Sequence, residues 1–452
     1  MGNQLRRPPA ASMRRIAIAS CAGTTIEFYD FFIYGTAAAL VFPKVFFPAL
    51  GSAAATVASF ATVAVAFIAR PVGAVLFGHY GDRLGRKRTL ISTLLLMGTA
   101  TVLIGLLPGS ASIGVAAPII LVALRFAQGF AVGGEWAGAT LLTAEYAPKE
   151  KRGFYGVFPQ VGPAIAFALS SGTFLATSLI MGDSNEAFLD YGWRIPFLLS
   201  ALLVAVGFYI RMNIDETPAF KAARTAAQAA DAAPKRLPFV EAVRSQPREV
   251  LLSAGSLTLL FAFFYIGTAY VTSYATAPGG AGLSRPVVLG VGVGAAVVIG
   301  FVIVFAGVLS DRFGRRPVMI LSAVLGIGWS LALFPLIDTG SAFAFAIAQT
   351  VTLAIFAVAY GPAGSFLPEL FAPRHRYTGA GLGYNIGALV GGAIPPLLAP
   401  GIVASFGSFG IGLLLSFLGV IALFSTLALK ETRGQAMAHE QPAATPQADP
   451  IG

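Results

Sequence analysis

Long apolar segments recur along the whole chain, separated by short polar connections. A helix that crosses a bilayer needs about 20 mostly apolar residues. That rule predicts twelve spans, near residues 16–41, 55–80, 89–108, 116–144, 153–181, 193–212, 250–276, 286–309, 317–337, 341–367, 377–403 and 407–429. We therefore predict an all-α membrane protein with twelve transmembrane helices.

The composition supports this fold class. Hydrophobic residues make up 56% of the 452 residues and charged residues only 11%, whereas soluble proteins carry about 25% charged residues. The single cysteine, Cys21, excludes an intramolecular disulfide and a cysteine-based metal site. The three histidines lie too far apart in the sequence to indicate a metal site, so we predict none.

Basic residues are distributed unequally between alternate connections. Of the 30 Lys and Arg residues, 25 fall in the two tails and in the connections on the same side as the tails, and three fall on the other side: Lys44, Arg194 and Arg285. Since Lys and Arg accumulate in cytoplasmic connections, we predict that both termini are cytoplasmic. The net charge of +10 then reflects membrane orientation rather than a nucleic-acid partner. We expect a multi-pass protein of the cell (inner) membrane, surrounded by lipid.

A charged motif occurs twice. Residues 78–88 and 307–317 share the pattern Gly, three residues, Asp-Arg, one apolar residue, Gly and two basic residues. The two aspartates, Asp82 and Asp311, are 229 positions apart, about half the chain. Two further matches, after spans 4 and 10 and after spans 6 and 12, indicate two six-helix repeats. Parallel repeats of this kind suit a carrier that rocks one half against the other around a central site.

The repeat sets the predicted domain boundaries. We predict an N-terminal six-helix bundle at 1–212, a cytoplasmic central loop at 213–249, a C-terminal six-helix bundle at 250–430 and a disordered cytoplasmic tail at 431–452.

With these motifs the chain resembles the major facilitator superfamily over nearly its whole length. Within that superfamily it is similar to the metabolite:proton symporters, which carry shikimate, 2-oxoglutarate, citrate, proline or betaine. The stretches that carry this resemblance are 27–31, 70–73, 125–129, 133–135, 192–197 and 376–379. The resemblance is strongest to shikimate-type carriers in spans 1 to 4. It implies a carrier that uses the proton gradient and no other cofactor.

Five ionisable residues lie well inside the predicted spans, all in the N-terminal half: Glu27, Asp30, Arg70, Arg125 and Glu135. A charge near the centre of a membrane helix costs at least about 2.5 kcal/mol unless it is paired or hydrated, so each is a functional candidate. At 1.5 Å of rise per residue, the first two and Arg125 lie near the midplane, and the others lie nearer the cytoplasm. For each residue the alternative is an ion pair that only joins helices.

Charge and depth suggest separate roles for these residues. The carboxyl groups of Glu27, Asp30 and Glu135 are the candidates for proton coupling. Arg125 is the candidate for binding a substrate anion, because a guanidinium binds a carboxylate through two parallel hydrogen bonds. The pair Arg70 and Glu135 suits either a structural contact or a cytoplasmic gate.

Neutral polar residues complete the predicted substrate site. The candidates are Tyr29, Gln128, Gln160, Tyr384 and Asn385. Most buried tyrosines are ordinary core residues whose hydroxyl is satisfied. Tyr384 and Asn385 are favoured because they adjoin glycines spaced every four residues from 379 to 391, which allow close helix packing.

The remaining charged residues near the motifs lie at the cytoplasmic rim, away from the midplane. We predict that they hold the cytoplasmic side shut. The predicted gate residues are Arg70, Asp82, Arg83, Arg86, Asp311, Arg312, Glu145, Arg152, Glu369 and Arg376.

We therefore predict a monomeric, proton-coupled secondary transporter rather than an enzyme. It would import a small organic acid, shikimate-like or dicarboxylate-like, or a zwitterion by alternating access. One alternative is a proton antiporter that exports small molecules, because one fold serves both directions. Another is a channel or a transport-inactive sensor, although the spans carry no repeated polar stripe and the chain has no large soluble domain.

Overall fold

The computed structural model describes residues 10–84, 86–133, 136, 140, 143, 147–181, 185–212, 244–277, 279–372 and 376–434. This part of the chain is helical and has no β-strand. The predicted all-α fold class is confirmed. Residues 1–9, residues 213–243 of the predicted central loop and residues 435–452 of the predicted tail lie outside the described part.

The described residues form twelve long helical segments. In the first half these are α1 Ala10–Leu40, α2 Gly51–Leu84, α3 Arg86–Leu106, α4 Ala116–Val132, α5 Arg152–Met181 and α6 Arg194–Met212. In the second half they are α7 Pro247–Thr276, α8 Arg285–Phe313, α9 Arg315–Ile337, α10 Ala342–Leu370, α11 Arg376–Phe406 and α12 Phe409–Ala428. Short helical turns at Phe42–Val45, Pro48–Leu50, Ser110–Ile113, Lys149–Lys151 and Asn185–Gly192 connect the helices of the first half.

Length and composition make most of these helices suitable for crossing a membrane. Counted over the described residues, nine pass both criteria, and α3 and α4 contribute shorter apolar stretches, Ile91–Leu106 and Ala116–Val132. Large apolar side chains such as Ile180, Phe301 and Phe424 are exposed on the outside of the helices. This is the surface expected of a protein whose solvent is lipid.

Several helices extend beyond the predicted spans. Helix α2 has 34 residues, whereas hydropathy predicts only 55–80. The backbone stays helical through the first charged motif to Leu84, because polar residues end an apolar pattern without ending a helix. Likewise α8 continues through Asp311 to Phe313.

Glycines allow α5, α8 and α10 to approach each other closely at one end of the contact between the halves. A Cβ atom on Gly153 would lie 2.6 Å from the carbonyl oxygen of Gly307, and one on Gly361 would lie 2.6 Å from that of Ile303. Small residues permit such backbone contact between membrane helices. We call this end of the molecule, where Asp311 also lies, the Asp311 face.

Two helices of the second half contain a π-helical turn. In α7 it spans Ile266–Tyr270, directly after Tyr265, and in α11 it spans Ala388–Ala393, shortly after Asn385. Such turns occur frequently at functional sites, because the extra residue changes the direction of neighbouring side chains. The turn in α11 follows residues that line the cavity described below.

Replacing Gly153 with alanine should weaken the contact at the Asp311 face. Overpacking of this kind costs about 1–3 kcal/mol, so the population open at this face should rise roughly tenfold. The measurement is the rate of maleimide labelling of Val157→Cys in a Cys21→Ser background, since Val157 is buried against Gly307.

The matched control for this substitution is Gly294→Ala, because a Cβ atom there meets no atom within 4 Å. Its labelling rate should equal that of the unsubstituted background. Equal rates in the two glycine variants would contradict the proposed close contact.

Candidate functional site

A small cavity lies between the two halves of the protein. Its volume is about 10 Å³, room for about one water molecule. Helices α1, α2 and α11, the end of α4 and the segment that follows it supply its walls. The lining residues are Glu27, Phe28, Arg70, Val132, Gly133, Trp136, Gly381, Tyr384 and Asn385.

An aromatic pair joins the halves at this cavity. The rings of Trp136 and Tyr384 stack with centroids 3.8 Å apart and an interplanar angle of 16°. Trp136 Nε1 donates to Gln160 Oε1 at 3.0 Å, and Gln160 Nε2 donates to the carbonyl oxygen of Tyr360 at 2.8 Å. One wall of the cavity thus holds a continuous chain of polar contacts from the first half to the second.

Glu27 and Arg70 place opposite charges on the same cavity. Both side chains are buried, and the Arg70 guanidinium lies 4.5 Å from the ring centroid of Phe31 and 4.7 Å from that of Phe67. The sequence predicted separate layers for Arg70 and Glu27, whereas both side chains line this one cavity. Helix α2 is longer than its predicted span, and Arg70 lies about 21 Å from the helix end at Leu84, against roughly 25 Å between Glu27 and the start of α1.

Asp30 lies elsewhere, inside the first half. Its carboxylate accepts a hydrogen bond from Thr101 Oγ1 on α3 at 2.8 Å and another from Ser200 Oγ on α6. Although Glu27 and Asp30 are three residues apart, their directions on the helix differ by about 60°. That angle is enough to turn Glu27 toward the cavity and Asp30 toward the interior of the bundle.

Arg125 is linked to Asp30 indirectly. Arg125 Nη1 donates to Gln128 Oε1 at 3.0 Å, and Gln128 Nε2 donates to Thr101 Oγ1 at 2.7 Å. The guanidinium lies 4.2 Å from the ring centroid of Phe31 and 3.9 Å from that of Tyr34. It is 1% exposed and does not line the cavity. The structure therefore brings Arg70, not Arg125, to the cavity.

Some of the predicted neutral site residues lie at the cavity, and the others lie inside the first half. Tyr384 and Asn385 line the cavity, and Gln160 supports it through Trp136. Tyr29 instead donates its hydroxyl to the carbonyl oxygen of Pro196 at 3.1 Å inside the first half. The Gln128 amide is occupied by its contacts with Arg125 and Thr101.

Aromatic rings close the interface on the other side of the cavity from the Asp311 face. Phe28 packs edge-on against Phe264 at 6.1 Å, and Phe60 packs against Tyr270 at 5.8 Å. A Cβ atom on Gly35 would touch that of Ala269 at 3.6 Å. Helices α1 and α2 therefore contact α7 here, so the two halves meet on this side of the cavity.

At the Asp311 face, Asp311 connects the halves. Its carboxylate accepts from the backbone N–H groups of Gly153 at 2.8 Å and Phe154 at 2.9 Å, and Arg315 Nη1 lies 2.7 Å away. The first N–H groups of a helix have no partner within the helix and favour a negative charge. Asp311 thus caps α5 while it remains paired with an arginine of its own half.

Glu369 forms the second contact between the halves at this face. Its carboxylate lies 3.6 Å from Arg152 Nη1 of the first half and 3.4 Å from Arg315 Nε of the second. Thr432 donates its hydroxyl to the same carboxylate at 2.6 Å. Arg376 Nε donates to the carbonyl oxygen of Pro368 at 2.9 Å. Four of the predicted gate residues, Asp311, Glu369, Arg152 and Arg376, therefore lie at one end of the interface.

Of the other predicted gate residues, Arg312 lies beside Phe313, with 5.4 Å between the guanidinium and the ring centroid. Glu135 and Glu145 lie outside the described residues, as do the side chains of the first-motif residues Asp82, Arg83 and Arg86.

The sequence reasoning missed Trp136, Thr101, Ser200 and Arg315. Arg315 was detectable, because it follows Asp311 by four residues and such pairs are neighbours on a helix. Nothing in the sequence distinguishes Thr101 and Ser200 from other small polar residues in apolar spans. Among the described residues, no group of three or more His, Cys, Asp or Glu side chains is arranged to hold a metal ion.

Comparison with known proteins identifies the family. Residues 16–442 match the family described as sugar (and other) transporters. The chain belongs to this family of the major facilitator superfamily. It is therefore a multi-pass membrane transporter and not an enzyme.

Close relatives cover almost the whole chain. An inner membrane metabolite transport protein of Escherichia coli, YhjE, is 42% identical over 95% of this chain and 97% of its own length. The shikimate transporter of E. coli is 40% identical over 87% of this chain and 88% of its own length. The proline/betaine transporter of E. coli is 34% identical over 96% and 86%. These relatives place the protein in the cell inner membrane.

Solved structures support the fold. The partially occluded inward-open xylose transporter XylE from E. coli aligns with a TM-score of 0.72 at 17% identity, covering 95% of this chain and all of that one. A second structure, described as a D-xylose-proton symporter, aligns with a TM-score of 0.70 at 20% identity over 94% and 99%. At this level of identity the likeness establishes the fold alone.

Replacing Asp311 with asparagine should destabilise the contact between the halves. The amide keeps the size of the side chain but removes the charge that Arg315 and the α5 N–H groups share. Hydrogen bonds to charged groups contribute about 1.5–3 kcal/mol, so the thermal unfolding temperature of the purified protein should fall. The exposed Asp190 provides the matched control, since Asp190→Asn should leave that temperature unchanged. An unchanged temperature in Asp311→Asn would contradict this role.

Proposed function

We propose that this transporter is a proton-coupled importer of a small metabolite that carries one carboxylate. The site is the cavity between the halves. Arg70 binds the carboxylate, and Glu27 faces a hydrogen-bond donor or cation at the opposite end of the substrate. The observation that carries the proposal is the presence of these opposite charges on one cavity, where the two halves meet.

The chemistry of the lining favours such a substrate. A guanidinium presents parallel N–H donors that match a carboxylate, and it binds more strongly where water is excluded. The rings of Phe28, Trp136 and Tyr384 offer flat apolar surfaces, which attract either a carbon ring or an alkylated ammonium group. Asn385 supplies both a donor and an acceptor. A substrate with a polar group at each end would use all of these groups.

Closure on both sides supports alternating access. The cavity holds about one water molecule, so any metabolite must separate Trp136 from Tyr384 in order to enter. Opening one side means breaking the Asp311 and Glu369 contacts, and opening the other means parting the aromatic layer of Phe28, Phe264 and their neighbours. Two separate closures around one site suit a carrier of two repeats better than a channel.

The relatives support the carboxylate. Shikimate, proline and betaine, named for the related transporters, differ in shape and charge but share one carboxylate. Arg70 is the described arginine that faces the cavity, and it would recognise this shared group. Glu27 would then meet the hydroxyl groups of a shikimate-like acid or the cationic end of a betaine-like zwitterion.

Proton coupling is assigned to Asp30. It is enclosed in the first half together with Arg125, so its charge can change without direct contact with the substrate. The gradient supplies the proton, and the proposal includes no other cofactor. We further propose that the protein works as a monomer with both termini in the cytoplasm, in two six-helix bundles that meet at the cavity. The Asp311 face is then the cytoplasmic side.

Uptake into proteoliposomes tests the proposed function. With an acidic exterior, we expect concentrative uptake of radiolabelled shikimate or glycine betaine and none of uncharged xylose, because xylose offers no carboxylate to Arg70. Collapsing the pH gradient with a protonophore should abolish the accumulation. Xylose uptake, or carboxylate accumulation that survives the protonophore, would refute the proposal.

Two substitutions should separate binding from coupling. Arg70→Lys should raise the half-saturating concentration of the accepted carboxylate about tenfold or more, because an ammonium cannot form the parallel pair of bonds. Asp30→Asn should retain exchange of labelled for unlabelled substrate but lose accumulation driven by the pH gradient.

The exposed residues Arg248 and Asp338 provide matched controls. Arg248→Lys and Asp338→Asn should behave like the wild type in both assays. Normal affinity in Arg70→Lys would argue against its contact with substrate. Normal accumulation in Asp30→Asn would exclude Asp30 as the coupling group.

A further inference from the structure

The Asp30 carboxylate is enclosed by hydroxyl groups rather than by a cation. Thr101 Oγ1 contacts Asp30 Oδ2 at 2.8 Å, and Ser200 Oγ donates to Asp30 Oδ1. Asp30 is 2% exposed and Thr101 is fully buried. Arg125 reaches this carboxylate through Gln128 and Thr101. The hydrogen-bonded path from the Arg125 guanidinium to the Asp30 carboxylate therefore runs through the Thr101 hydroxyl.

The donor and the acceptor of each hydrogen bond around the ionised Asp30 carboxylate can be assigned. Gln128 Nε2 is a donor only, so Thr101 Oγ1 accepts from it at 2.7 Å. A hydroxyl has one hydrogen to donate and can accept two hydrogen bonds. While Asp30 is ionised, the Thr101 hydrogen points to Asp30 Oδ2. Ser200 supplies the second donor.

The protonated state can be accommodated at the same positions. If a proton binds to Asp30 Oδ2, the new O–H group must donate, and Thr101 Oγ1 still has a free acceptor position for it. The Thr101 hydrogen then turns to the carbonyl oxygen of Met97, which lies 2.9 Å away. Gln128 and Ser200 keep their bonds. One proton is gained, one hydroxyl rotates, and no donor in the cluster loses its partner.

We propose that Thr101 is the hydrogen-bond switch that allows Asp30 to bind and release a proton inside the closed first half. Thr101 is a positioning residue, since it acts on Asp30 and does not face the cavity. The inference rests on the proposed function only in identifying the bound proton as the coupling proton. The switch itself follows from the two acceptors, Asp30 Oδ2 and Met97 O, that lie within reach of one hydroxyl.

The surroundings contain few other groups that respond to pH. Among the described residues, the titratable groups that act on Asp30 are Arg125 on α4 and Tyr29 on α1. The helices that enclose the carboxylate from the other sides, α3 and α6, contribute the neutral hydroxyls of Thr101 and Ser200. The Tyr29 hydroxyl is engaged with the carbonyl oxygen of Pro196. A proton that binds at this place therefore belongs to Asp30.

Infrared difference spectroscopy of the full-length protein in lipid, between acidic and alkaline buffer, tests the switch without any substrate. The wild type should show, among the bands of its protonated carboxyl groups, one carbonyl band that is missing from Asp30→Asn, and subtracting the Asp30→Asn spectrum isolates it. In Thr101→Val the band should move to higher frequency, because the acid O–H loses its acceptor. Its titration midpoint should shift by about one pH unit, because the anion loses a donor. Thr101→Ser should restore both values.

Thr426→Val is the matched control, since the buried Thr426 hydroxyl also donates to the carbonyl four residues earlier, at 2.7 Å, but contacts no acid. Its spectrum should equal that of the wild type. If Thr101→Val fails to fold, Thr101→Cys replaces the hydroxyl with a much weaker donor and acceptor, and the same shifts are expected. An unchanged band in Thr101→Val and Thr101→Cys, or an Asp30→Asn spectrum identical to that of the wild type, would overturn the inference. Failure of the uptake screen would refute the proposed function and leave this result intact.

Discussion

A charged group inside a membrane protein must be solvated by the protein itself, because lipid cannot do so. This constraint explains the arrangement of the described ionisable residues between the helices. Arg125 lies between two aromatic rings and a glutamine amide, and Asp30 receives two hydroxyl groups. Arg315 is shared between Asp311 and Glu369. In each case uncharged side chains or backbone N–H groups supply hydrogen bonds or contacts that an isolated ion pair would lack.

These clusters differ in whether they cross the boundary between the halves. The contacts of Asp311 with α5 and of Glu369 with Arg152 join the two halves, so they must break when the Asp311 face opens. The cluster of Asp30, Thr101, Gln128 and Arg125 lies within the first half and can persist through rocking of the halves. A proton-coupled carrier of the kind proposed needs both kinds. Contacts between the halves set the energies of its conformations, and a cluster within one half can hold a proton while the conformation changes.

The sequence predicted the helices well and the directions of side chains poorly. Apolar length and the repeated motif were enough for the fold class and for Asp311 at a helix end. Hydropathy could not show that α2 continues to Leu84, and it assigned Arg70 and Glu27 to separate layers although both line one cavity. Depth along α1 could not show that Glu27 and Asp30 face different surroundings, since direction depends on how neighbouring helices pack. Trp136 gave no signal at all, because its importance comes from Tyr384, nearly 250 residues later in the chain.

The electrostatic cost of a net buried charge suggests why an anionic substrate and a proton would move together. Moving an uncompensated charge through a closed, low-dielectric interior is costly. If the empty closed form is accessible, adding a monoanion such as shikimate next to Arg70 changes the buried charge by one negative unit, and one proton on Asp30 restores it. Either one alone leaves an excess charge between the two closures. Arg70 and Arg125 both lie beside the ring of Phe31, so the substrate charge and the proton would be felt within one small region. Coupling then requires no direct contact between the substrate and the proton, because the net charge of the closed region depends on both.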